Sequence, residues 1–297
     1  MSGPSQPPLW TWTAGLLLAA VTIASLLVFD ARTQTAFLTD ELNLPRLGRA
    51  TPPGTPRIVV IGSSKTECAF AYDQDMEARF HRAGRDVSFT RIAVRGAQLG
   101  QLAYSFDAVA RSHPQLVLIE ADLLTLQPGG YNAGDGETEQ VWQSRVRQKL
   151  KMLVSGRIQS PNDPTATAPC DRSITQLPEP TPAQVAAALA KRRVSSAAEQ
   201  RPYLDLLDRL RAQGSAVGMV DIPPSPDAAR SLPPRLVRDR TQLSDRLTSS
   251  HRLIHFDPGA LPASAYIDRG HLNAEGRERV SQWFVMEALG RLGRAHA

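Results

Sequence analysis

From Arg57 onward, short apolar runs alternate with stretches whose apolar residues recur every three or four positions. Arg57–Ile61 (RIVVI) and Leu116–Ile119 (LVLI) are continuous apolar runs, as expected of strands covered on both faces. Val87–Val94, Ala216–Asp221 and Leu253–Phe256 complete five predicted strands. Helical patterns fall between and after them, over residues 66–82, 99–112, 139–154, 182–213, 235–249 and 273–294. Strands alternating with helices imply βαβ units, which place parallel strands in one sheet with helices on both faces. The expected class is therefore α/β, a three-layer α/β/α domain over residues 57–297.

Upstream the pattern changes. Residues 9–29 carry no ionisable side chain, and nine of them (Leu16, Leu17, Leu18, Val21, Ile23, Leu26, Leu27, Val28 and Phe29) are strongly apolar. Nine such residues contribute on the order of −3 to −5 kcal/mol to membrane insertion, and about 20 residues match the thickness of a bilayer. Trp10 and Trp12 stand where indole rings favour the interface. A soluble helix would show an amphipathic stripe, which is absent. A cleaved signal peptide would need a basic start, but residues 1–8 (MSGPSQPP) have only the terminal amine, and no small-x-small site follows Val28. The reading is a short tail at 1–8, one transmembrane helix at 9–29 and a linker at 30–56. Arg32, Arg46 and Arg49 after the span argue by flanking charge for a cytoplasmic body, so orientation has to come from the chemistry downstream. Residues 155–181, rich in Pro, Ser, Thr and Asp, read as an irregular insertion.

Composition narrows the function classes. The 297 residues have 42% hydrophobic and 21% charged side chains, enough for a sizeable core and incompatible with a wholly disordered chain. The formal charge is +5, but only four of the 34 basic residues are lysines and the arginines are spread along the chain. No basic face of the kind that tracks phosphates stands out, so nucleic acid is not an expected partner. The two cysteines, Cys68 and Cys170, are in no CxxC spacing; two unpaired thiols is the default, with a disulfide open to them only in an oxidising compartment. His81, His113, His251, His255 and His296 show no metal-ligand spacing, and no metal or cofactor is expected. Lys191-Arg192-Arg193 reads as a solvated helix face.

Ligands of an open parallel sheet bind beyond the carboxyl ends of its strands. The first strand ends in Gly62-Ser63-Ser64-Lys65-Thr66, directly before a helix, where backbone N–H groups are free to hold an oxyanion. The simpler reading of such a junction is an N-cap. After the last strand comes Tyr266-Ile267-Asp268-Arg269-Gly270-His271-Leu272-Asn273, in which Asn273 is placed to cap the final helix. His271 is a candidate general base and Asp268 the acid that orients it. A serine hydroxyl is a weak nucleophile until an imidazole takes its proton, and that imidazole needs a carboxylate to fix its tautomer. In a flavodoxin-like strand order, 2-1-3-4-5, these two segments lie at the same edge of the sheet, with loops closing the gap between them.

The two blocks resemble those of the SGNH (GDSL-like) hydrolase superfamily, over about residues 57–127 and 252–290. Ser64 in Gly62-Ser63-Ser64 aligns with the nucleophile of the family's Gly-Asp-Ser block, and Asp268-Arg269-Gly270-His271 with its Asp-x-x-His block. Gly96 after the second strand matches the family glycine. The resemblance implies that the Ser64 and Gly96 N–H groups form the oxyanion hole, worth a few kcal/mol per donor. The third block, Gly-x-Asn-Asp, is not kept: Ile119-Glu120-Ala121-Asp122-Leu123 stands there, Asp122 or Glu120 falls near the asparagine position, and an ionised carboxylate repels an oxyanion.

That departure, with the anchor, is similar to membrane-anchored members that handle acyl groups on envelope polymers. The resemblance implies a serine acyl-ester hydrolase or O-acyltransferase acting on acyl (acetyl) esters of an envelope or secreted polysaccharide. It implies a membrane-bound O-acyltransferase as partner, and a site on the periplasmic or extracellular side of a bacterial inner membrane. Two other readings stay open: a catalytically degenerate scaffold or glycan-binding partner of such an acyltransferase, and a phosphate or nucleotide binder using the turn at Gly62.

Overall fold

The computed structural model describes residues 43–94, 99–126 and 192–294, together with Leu17 and Val21. The chain divides into two compact units, Met1–Thr39 and Asp40–Ala297. In the first, Leu17 and Val21 are helical and exposed; the rest of the expected span at 9–29 lies outside the described residues. Among the described residues no helix is long and apolar enough to cross a membrane. The helical pattern at 139–154 and the insertion at 155–181 also lie outside them.

The second unit is an α/β body. Its strands are β1 (Arg57–Ser63), β2 (Ser88–Val94), β3 (Leu116–Glu120), β4 (Ala216–Val220) and β5 (Ile254–Phe256). They form one sheet, parallel throughout as the alternation of strands and helices predicts, in the expected flavodoxin-like order β2-β1-β3-β4-β5. The described helices are α1 (Leu44–Leu47), α2 (Ser64–Ala69), α3 (Asp73–Arg82), α4 (Leu99–Arg111), α5 (Ala121–Thr125), α6 (Ala197–Ala212), α7 (Pro226–Ser231), α8 (Pro234–Ser250) and α9 (Ala274–Arg294).

Burial on both faces is why β1 and β3 read as unbroken apolar runs. Ile58, Val60, Leu116 and Leu118 join the cluster under α2, α3 and α9. Their neighbours Val59, Ile61, Val117 and Ile119 are just as inaccessible and point to the opposite face. Phe284 of α9 centres the first layer, with its ring 5.0 Å from Phe70, 5.6 Å from Phe256 and 6.0 Å from Phe89. Each such fully buried ring contributes about 2–3 kcal/mol. On the other face Phe106 of α4 meets Tyr203 of α6, with ring centroids 5.6 Å apart.

Two expected helices differ from the pattern. The helix expected over 66–82 is broken at Phe70, which is extended (φ −111°, ψ 142°) so that its ring enters the aromatic cluster. Arg91 of β2 donates to the Glu67 and Phe70 carbonyls, satisfying acceptors left free by the break. The pattern over 182–213 is helical among the described residues only from Ala197, because Ser196 and Glu199 form a capping box. The segment before it is extended, and Val194 bridges Leu126, so Arg192 and Arg193 lie outside a helix and Arg193 pairs with Glu199.

Part of the expected linker packs on the body. Leu47 of α1 is buried, Arg46 pairs with Asp73 (3.2 Å) and Glu77 (2.6 Å), and Arg57 donates to the Leu47 and Ser112 carbonyls.

Candidate active site

The parallel register brings the carboxyl ends of β1, β3, β4 and β5 to one edge, where the turn from β1 into α2 is held by Glu120 of β3. Glu120, the last residue of β3 and 2% exposed, accepts the Ser63 N–H (2.7 Å), the Ser63 hydroxyl (2.8 Å) and the Thr66 hydroxyl (2.7 Å). Ser63 caps α2 by accepting the Lys65 N–H at 3.2 Å. The junction is thus an N-cap, but the capping serine is Ser63, which leaves Ser64 as the first helical residue. Gly62 is needed for space rather than for an unusual backbone angle: a Cβ there would stand 1.8 Å from Thr66 Oγ1 and 2.8 Å from Glu120 Oε2.

The second segment folds back on itself. Tyr266 and Leu272 form an antiparallel bridge, and Ile267 N–H donates to the His271 carbonyl at 2.9 Å. Asn273 caps α9 by accepting the Gly276 N–H, so the capping reading holds alongside the functional one. The loop reaches across the sheet edge, where Tyr266 donates to the Pro223 carbonyl and Arg269 accepts the Ser225 N–H. Within it Asp268 Oδ1 accepts the N–H groups of Gly270 (2.7 Å) and His271 (2.8 Å), which fixes the carboxylate before the imidazole is considered.

The two segments converge. Ser64 Oγ lies 2.9 Å from His271 Nε2, and His271 Nδ1 lies 2.8 Å from Asp268 Oδ2. Residues 207 positions apart therefore share one hydrogen-bonded line. Burial alone would raise the Asp268 pKa, but the His271 contact and the two N–H groups outweigh it and lower it, so the carboxylate stays ionised. The site is open to solvent, with the His271 side chain 25% exposed.

Gly96, expected to supply an oxyanion donor, lies outside the described residues. Asp122, at the expected third-block position, is not a bare carboxylate. Lys65 Nζ stands 2.5 Å from its Oδ2 and Arg240 donates to its Oδ1 at 2.9 Å. Burial would raise Asp122, but Lys65 and then Arg240 hold it well below the usual carboxylate range. Sequence reasoning passed over Lys65, Arg240 and the fixed role of Glu120 under the turn.

It also set His255 aside as a lone histidine. His255 Nε2 lies 2.6 Å from Asp221 Oδ2, at the adjoining ends of β5 and β4, and Arg240 donates to the same Asp221. An acid ending one strand with a histidine in the next was the available signal. Cys68 is buried and disulfide-bonded, which corrects the reading of unpaired thiols; its partner lies outside the described residues. No group of three or more metal-ligating side chains occurs among the described residues. A cleft of about 260 Å³ opens between α2, α3 and α9, lined among others by Glu67, Tyr72, Arg79, Arg91 and Glu278; none of Ser64, Asp268 and His271 lines it.

No protein-family model matches the chain, and no curated protein sequence matches it. Solved structures of similar outline include a lipase/acylhydrolase from Enterococcus faecalis, 11% identical, covering 80% of this chain and 97% of that one with a TM-score of 0.44. A GDSL-like lipase from Bacteroides thetaiotaomicron is 13% identical, covering 86% and 99% with a TM-score of 0.43. An acetyl xylan esterase is 13% identical, covering 78% and 98% with a TM-score of 0.41.

Proposed function

We propose that this chain is an SGNH-type serine acyl-ester hydrolase or O-acyltransferase with Ser64 as nucleophile, His271 as general base and Asp268 as the group that orients the imidazole. The observation that carries this reading is the unbroken line from Ser64 Oγ through the His271 ring to Asp268. With Nδ1–H donating to Asp268, Nε2 is left to accept the Ser64 proton as Oγ attacks the acyl carbon. The resulting oxyanion lies against the Ser64 N–H and, by the family resemblance, the Gly96 N–H. Imidazolium then protonates the departing alkoxide, leaving an acyl-Ser64 ester. Water or a sugar hydroxyl, deprotonated by His271, attacks that ester and regenerates the serine.

The resemblance to members that handle acyl groups on envelope polymers supports acyl (acetyl) esters of a polysaccharide as substrate, and a membrane-bound O-acyltransferase as partner. A domain on the periplasmic or extracellular side, held by residues 9–29, agrees with the disulfide at Cys68, because such bonds persist in oxidising compartments. The phosphate-binding reading is disfavoured by Glu120, whose carboxylate already occupies the donors at the Gly62 turn where a phosphate would sit.

A fluorophosphonate probe tests the nucleophile, since it reacts only with an activated serine. The full-length protein should be labelled. Ser64→Ala should abolish labelling and lower hydrolysis of p-nitrophenyl acetate by about a thousandfold or more. Silence of the wild type, or equal labelling of the variant, refutes the proposal.

A further inference from the structure

We propose that Lys65 is a positioning residue of this site: it neutralises Asp122, so that the oxyanion can form beside a carboxylate where an asparagine amide is expected. This rests on the reading of Ser64 as nucleophile. Three observations carry it. Lys65 directly follows Ser64, and its N–H is held by Ser63 Oγ in the same turn that Glu120 fixes. Its stem runs against the loop bearing the imidazole, since a Cβ on Gly270 would lie 3.5 Å from Lys65 Cε. Its ammonium ends on Asp122 Oδ2, while Oδ1 is taken by Arg240, so each carboxylate oxygen faces a different cation.

The arrangement is asymmetric in a way an ordinary ion pair is not. The Lys65 and Asp122 side chains are both only 19% exposed, so solvent would screen a lone charge there incompletely. Arg240 is shared with Asp221 and cannot serve Asp122 alone. Losing Lys65 leaves negative charge beside a developing oxyanion. Losing Asp122's charge removes a repulsive group and leaves a cation beside the site. A pair that served stability alone would suffer about equally from either loss.

Lys65→Met, Asp122→Asn and the double variant distinguish these cases in the full-length protein, with p-nitrophenyl acetate kinetics and the rate of fluorophosphonate labelling as readouts. Lys65→Met should lower kcat and the labelling rate by about 10- to 100-fold with KM within about threefold. Asp122→Asn removes the repelling charge and should not lower kcat, and adding it to Lys65→Met should bring kcat back to within about threefold of Asp122→Asn alone. Lys65→Met at wild-type kcat, or a double variant no better than Lys65→Met, overturns the assignment. If Lys65→Met does not fold, Lys65→Gln takes its place in the same set of variants, with the same outcomes supporting or overturning the assignment. A wild type silent to the probe brings down both this inference and the function beneath it. A reactive wild type with a silent Ser64→Ala and an unaffected Lys65→Met removes the role of Lys65 alone.

Discussion

His271 with Asp268 and His255 with Asp221 are built from the same two side chains at nearly the same separation, 2.8 Å in the first pair and 2.6 Å in the second. Both stand at the carboxyl edge of the sheet. They differ in what else each partner touches. His271 gives Nδ1 to its acid and keeps Nε2 for the Ser64 hydroxyl, whereas His255 gives Nε2 to its acid. Asp268 is satisfied by two backbone N–H groups of its own turn, so its remaining pull is on the imidazole. Asp221 is shared with the Arg240 guanidinium, itself engaged on Asp122. A short acid–imidazole contact therefore does not identify a catalytic base; the second ring nitrogen and the other company of the carboxylate do.

The largest contrast should be in activity. His271→Ala removes the only imidazole facing a serine among the described contacts and should lower ester hydrolysis by about a thousandfold or more. His255→Gln keeps a polar group beside Asp221 and should leave the rate within about threefold. Rates of p-nitrophenyl acetate hydrolysis by the two purified variants decide the matter. A comparable collapse in both would mean that the second pair takes part in chemistry.

A smaller effect separates the supports of the two pairs. Only the His271 pair depends on the turn that presents Ser64, and that turn has no room for a methyl group at Gly62. Gly62→Ala must displace Thr66, which is fully buried and bonded to Glu120, and overpacking of this kind costs about 3 kcal/mol. The urea midpoint of unfolding should fall accordingly, and hydrolysis should fall further than stability explains because Ser64 moves with the turn. A variant with an unchanged midpoint would show that the turn is not rigid.

These supports mark where the sequence was legible. The strands, their parallel arrangement and the edge that both site segments share followed from apolar runs and from which strand each segment trails, whereas the strand order entered as the flavodoxin-like arrangement. Asp268 and His271 were readable because their contact is made inside one turn. Glu120 and Lys65 were not, since each acts on a residue brought near by the register of β1 against β3, and nothing local announces a carboxylate as the anchor of another strand's turn. The break at Phe70 was hidden for a similar reason: local propensity continues a helix that tertiary burial of one ring interrupts. The start of α6 was available and missed, because Ser196-Ala197-Ala198-Glu199 carries the capping-box spacing.

The smallest expected effect is on stability, where the two pairs respond to pH with opposite sign and in separate ranges, His255 near neutrality and Asp268 in acid. The hydrogen bond to Asp221, more than any other influence, raises the His255 pKa above its ordinary 6.5. A group whose pKa is higher folded than unfolded stabilises fully below the unfolded value and loses that contribution as pH rises through the folded one. Asp268, lowered from 3.8, behaves inversely: its contribution is present above that value and fades only as the solution is acidified below it. From about pH 6 upward, then, the wild-type melting temperature should decline by an amount that His255→Gln does not show, while the two proteins run parallel in the acid limb where Asp268 titrates. Because His255 is about a third exposed, at 34% of its side chain, solvent screening keeps the difference small. Melting curves of both proteins across pH 2 to 9, at one ionic strength, measure both limbs. Parallel curves through the neutral range would mean that Arg240 cancels the pull of Asp221 on His255, and that this second pair carries no charge-dependent stability.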